Sequence, residues 1–90
     1  MKTDFYKNLQ QQLTAQFEFP LDYLFKFIIP ADNHKLALVE NLFGKEAIVT
    51  TRTSKNGKFI SISAKEKMLN ATKIINVYKK AEKIEGIISL

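Results

Sequence analysis

Among the residues of this chain whose types could do covalent or acid–base chemistry, the first to weigh are Ser61, Ser63, His34, Glu40 and Glu46. A nucleophilic serine needs a base within hydrogen-bond reach, itself oriented by a third group. Ser61 and Ser63 alternate with isoleucines in FISIS, and the chain's one histidine lies far upstream, among polar residues at what reads as a helix start. Glu40 and Glu46 flank a helix end and show no paired arrangement for acid–base work. The chain has no cysteine, which removes disulfides, thiolate zinc sites, iron–sulfur ligation and a cysteine nucleophile together. The other carboxylates are scattered, and three isolated glycines make no phosphate loop. The expectation is a protein that is not an enzyme and holds no cofactor and no metal.

Recognition chemistry has more to work with. Residues 1–50 hold five lysines against six acids, whereas residues 51–90 hold nine Lys or Arg against three acids. A basic half attracts phosphates, although a solvated lysine-rich surface has the same composition. Within it, TSKNGKFISIS sets serines on one side of a strand and isoleucines on the other, beside a turn flanked by Lys55 and Lys58.

The elements that must position these groups follow from periodicity. Apolar residues at Phe5, Leu9 and Leu13, with Tyr6 and Phe17 alongside, predict a helix over 4–17 that ends before Phe19-Pro20. DYLFKFII predicts a strand over 22–29, central and largely covered, closed by Pro30. Asp32 or Asn33 is suited to cap a second helix that buries Leu36, Val39, Leu42 and Phe43 and ends at Gly44. Asn56-Gly57 predicts a two-residue type I′ hairpin in which Lys55 pairs with Lys58. That register sets Thr53 opposite Ile60, Thr51 opposite Ile62 and Val49 opposite Ala64 on a buried face. Arg52 then meets Ser61, and Thr50 meets Ser63, on the other. Asn70 caps a third helix whose face is Ala71, Ile74, Ile75, Tyr78 and Ala81, with Lys79, Lys80 and Lys83 in its last turns. Gly86 precedes a short last strand in IISL.

After the first helix the order is strand, helix, strand, strand, helix, strand. This is the α+β, ferredoxin-like βαββαβ two-layer sandwich, with a four-stranded antiparallel sheet and an extra N-terminal helix. Residues 1–18 form the helical extension and 19–90 the ferredoxin-like domain. The helix could cover the open sheet face, extend the helical layer or pair with a second chain. The open face is expected to carry Lys26 and Leu24, Arg52, Phe59, Ser61 and Ser63. Lys26, Arg52, Phe59, Ser61 and Ser63 are the candidate ligand- or partner-binding residues.

The stretches FPLDYLFKFIIP, SKNGKFISISAKEKML and IINVYKKAEKIEGIISL resemble the YbeD-like bacterial domains of unknown function over residues 19–90. That resemblance implies a ferredoxin-like fold, similar in shape to ACT regulatory modules, and no catalytic residues. ACT effectors sit against a glycine-bearing loop after the first strand, whereas this loop reads IIPADNH. The expected function is a small regulatory or protein-interaction domain, whose partner is another protein or a second copy. A small-molecule effector is a further candidate partner. The alternative is a single-stranded RNA-binding module that uses the open sheet, since Phe59 stands where such domains stack a base. The N-terminus has no signal-peptide core and LFKFIIP is too short to span a bilayer, so the expected location is the cytoplasm, with no membrane partner.

Overall fold

The computed structural model describes residues 2–90; Met1, the first residue of the expected 1–18 extension, lies outside them. Seven elements follow in order: α1 (Lys2–Gln16), β1 (Leu21–Pro30), α2 (Asn33–Glu40), β2 (Ile48–Thr53), β3 (Phe59–Met68), α3 (Ala71–Ala81) and β4 (Ile88–Ser89). The four strands form one sheet in the order β2-β3-β1-β4, with every pairing antiparallel. This is the ferredoxin-like two-layer sandwich, with β1 and β3 central.

Alternation along the central strands builds the core. Phe25, Phe27 and Ile29 of β1 and Ile60, Ile62 and Ala64 of β3 are all buried on one face. Ile74, Ile75 and Ala81 of α3 and Val39 of α2 close over them. Aromatic rings fill the centre: Phe25 lies with its centroid 5.3 Å from Phe43 and 5.4 Å from Tyr78. The tyrosines of β1 and α3 meet through their hydroxyls, Tyr23 and Tyr78, at 3.0 Å. Burial and that hydrogen bond raise the Tyr78 pKa well above the ordinary tyrosine value.

Side-chain caps start both shorter helices. The Asp32 carboxylate accepts from the His34 and Lys35 amides at 2.8 and 3.2 Å, which holds its pKa below the usual carboxylate value. Asn70 Oδ1 accepts from the Lys73 amide at 3.0 Å.

The extra helix joins the helical layer. Tyr6 donates to Glu82 Oε2 at 2.7 Å, Gln10 Nε2 donates to Thr72 Oγ1 at 3.0 Å, and Lys79 Nζ stands 5.7 Å from the Tyr6 ring centre. The start of α1 therefore meets the end of α3, so the two run antiparallel. Leu13 is buried and Tyr6 and Leu9 are partly so, while Phe5 stays exposed. The packed stripe is Tyr6, Leu9, Leu13 rather than Phe5, Leu9, Leu13.

Several other expectations are corrected. The β2–β3 register is the expected one, but the turn is not type I′. Gly57 alone takes positive φ, at 72°, and its amide donates to Ser54 O at 2.9 Å. Asn56 keeps negative φ and uses Oδ1 to accept from Ser54 Oγ (2.7 Å) and the Lys58 amide (3.0 Å). This side-chain bracing allows a longer loop, so Lys55 and Lys58 are not a ladder pair. Helix α2 stops at Glu40 with Asn41 as its cap, before Gly44. Gly44 instead donates its amide to Glu66 Oε2 at 2.7 Å. Lys83 lies past α3, and the last strand is two residues long. Strand β1 is central, yet only one of its faces is covered, because α1 packs beside α3 and not over the sheet. Leu24 is accordingly exposed.

Among the described residues no helix is long and apolar enough to cross a membrane, and no three His, Cys, Asp or Glu are grouped to hold a metal ion.

Candidate functional site

The uncovered face of the sheet is set by strand parity. Residues alternating with the buried Phe25, Phe27 and Ile62 must point the other way. Registers then assemble them in rows. Arg52, Ser61, Ile28 and Ile88 form one row across β2, β3, β1 and β4. Thr50, Ser63 and Lys26 form the next, completed by Leu90, whose amide donates to Lys26 O at 2.9 Å. A third row holds Ile48, Lys65 and Leu24, and Phe59 pairs with Pro30 at the far end.

All five sequence-predicted residues, Lys26, Arg52, Phe59, Ser61 and Ser63, lie on this one face. Lys26, Arg52, Ser61 and Ser63 share a shallow depression of about 530 Å³, with Thr50 and Leu90 also on its rim. Phe59 stands one row beyond it and remains 45% exposed. The hydroxyls and the two cations make a hydrogen-bonding floor for an anionic group.

An apolar border surrounds this floor. Leu24, Ile48, Ile88 and Leu90 are all more than half exposed. Ile48, Ile88 and Leu90 were not anticipated. Ile48 shares parity with Thr50 and Arg52, a signal available in AIVTTRT. Ile88 and Leu90 join the face only through pairing of β4 with β1, which no local pattern specifies. In charge, the strands present Lys26, Arg52, Lys65 and Lys67 here against Asp22, with Glu46 near the Asp22 end.

Other candidates sit elsewhere. His34 opens α2 in the other layer, so the sheet separates the chain's imidazole from Ser61 and Ser63. Asp32, in the loop where an ACT-like effector would bind, already spends a carboxylate oxygen on two amides of α2.

The family model described as "Protein of unknown function (DUF493)" matches residues 14–90. The chain belongs to this family. YbeD is itself a DUF493 protein, so the resemblance seen in the sequence holds. The DUF493 match spans all four strands, α2 and α3, and begins at Thr14 near the end of α1. No curated protein and no solved structure matches the chain.

Proposed function

We propose that this DUF493 chain is a non-enzymatic interaction module, regulatory in the manner of ACT-like domains, that docks a protein partner on the open face of its sheet. One observation carries the reading: all three helices pack away from that face, leaving exposed Leu24, Ile48, Phe59, Ile88 and Leu90 around Lys26 and Arg52. A border of apolar side chains around a polar centre is a surface with binding energy to gain from being covered. The non-enzymatic part rests on the separation of His34 from the strand hydroxyls. A cysteine-free chain suits the reducing cytoplasm.

The test is site-specific photo-crosslinking in cells that make the protein, with the probe at Ser61 and, as a control, at Gln11 on α1. A discrete protein adduct from Ser61, absent from Gln11 and weakened by Lys26→Glu, supports the reading. Equal labelling from both positions, or none from Ser61, overturns it.

The RNA-binding reading is favoured by one observation, the exposed Phe59 ring on a central strand beside cations. A nuclease-sensitive adduct from Ser61 would replace the protein partner with RNA. Fluorescence anisotropy with single-stranded RNA at about 50 and 200 mM salt separates phosphate contacts from stacking, because only stacking is lost in Phe59→Ala.

A further inference from the structure

We infer that the outer edge of β2 takes up an acidic, extended segment of a protein partner by strand addition, so that the segment lies along the border of the open face. This rests on the interaction reading above and names the chemistry of the partner.

The two edges of the sheet differ in what they offer. The β4 edge is two residues long, whereas β2 presents six, Ile48–Thr53. Exposed edges in soluble proteins are usually guarded by lysine, proline, a bulge or a covering loop. IVTTRT contains no proline and no lysine, and five of its six residues are β-branched. It pairs with β3 without a bulge, one residue against one from Ile48 to Thr53. All of it is exposed except Val49, which is half-buried.

The hydrogen-bond phase identifies the free groups. Ser54 N–H donates to Phe59 O at 2.8 Å. In an antiparallel ladder, bonded and non-bonded pairs alternate. Arg52, Thr50 and Ile48 therefore bond inward to β3, while Val49, Thr51 and Thr53 direct their N–H and C=O groups outward. These three residues form a template for one more strand.

Charge selects the occupant. The chain carries a formal +5, and Arg52 in β2, Lys55 and Lys58 at the hairpin tip and Lys65 beside Ile48 flank this edge, outnumbering Asp22 and Glu46 near its Ile48 end. A second copy would bring the same charge against it. An acidic segment finds complementary partners, and strand parity sets the side chains flanking its pairing with Thr51 on the open face, beside Arg52.

The experiment uses the full chain, 15N-labelled, titrated with a blocked peptide of about eight residues alternating valine and glutamate, and with its lysine counterpart. At millimolar glutamate peptide the Val49, Thr51 and Thr53 amides are expected to shift and to exchange about tenfold more slowly. The lysine peptide is expected to leave them unchanged. Thr51→Pro removes an outward N–H and no ladder bond, so it should abolish the effect while β1 and β3 resonances persist. Arg52→Glu, which leaves the backbone alone, should weaken binding about tenfold.

Shifts confined to Lys26, Ser61 and Ser63 would overturn strand addition while leaving the open-face reading intact. Concentration-dependent protection of β2 without peptide would assign the edge to a second copy and overturn the acidic partner. No response to the glutamate peptide, or an equal response to both, overturns the inference; the crosslinking result at Ser61 decides the parent reading separately.

Discussion

The two faces of the sheet are made by the same strands and differ in almost everything else. On the covered face Phe25, Phe27, Ile29 and Ile62 are at most 1% exposed, locked between β1, β3 and the helices. On the open face the residues one step along each strand, Leu24, Lys26, Ser61 and Phe59, remain in water to varying degrees. The covered face supplies stability, because burial removes apolar surface from water and close packing adds dispersion. The open face contributes little to folding and is therefore free to be chosen for binding. Phe27 and Phe59 are the same residue type in opposite environments, set by parity.

The largest expected effect tests that contrast directly. Phe27→Ala should cost about 3–5 kcal/mol, whereas Phe59→Ala, with its ring about half in water, should cost only about 1 kcal/mol. Urea unfolding midpoints measure both, and equal losses would break the distinction between the faces.

Next comes Leu13→Ala, which asks whether α1 belongs to the covered side. Leu13 is 5% exposed, so its truncation should destabilise by about 2–5 kcal/mol without changing the molecular mass in solution. An unchanged unfolding midpoint, or an altered mass by light scattering, would detach α1 from the core and return it to association.

The smallest effect is in pH. Burial, helped by the Glu82 hydrogen bond, pushes Tyr6 up from 10.0 to about 12. A raised folded-state pKa means stabilisation fully present below the unfolded value and lost as pH rises through the folded one. Stability from the α1–α3 contact should thus hold to about pH 10 and decline toward 12. Tyr6→Phe should flatten part of that decline, and a slope identical in the variant would remove Tyr6 from the contact.

Legibility in the sequence tracked the range of the interaction. The register of β2 on β3 was readable because the loop between them is short and the isoleucine alternation tolerates no one-residue slip. The turn type is not legible there, since Asn56 can brace a longer loop with its side chain as readily as it can adopt positive φ. Gly44 resembled a helix end, but its amide was claimed by Glu66, 22 positions away. The candidate residues Lys26, Arg52, Phe59, Ser61 and Ser63 were readable as one face from parity alone. Ile88 and Leu90 were not, because their place depends on β4 finding β1.

By itself the sequence determined what local geometry and alternation control: a helix cap at Asn70 and another at Asp32 or Asn33, the strand faces, the hairpin register, and a charge gathered in the second half. Tertiary structure decided where α1 lies, and so whether the second side of the sheet stays open. The physical reason is distance along the chain. The bond from Tyr6 to Glu82 joins residues 76 positions apart, and no local pattern says which of three apolar surfaces an amphipathic helix will cover. Packing beside α3 answered that, and with it left the basic sheet face and the β2 edge exposed.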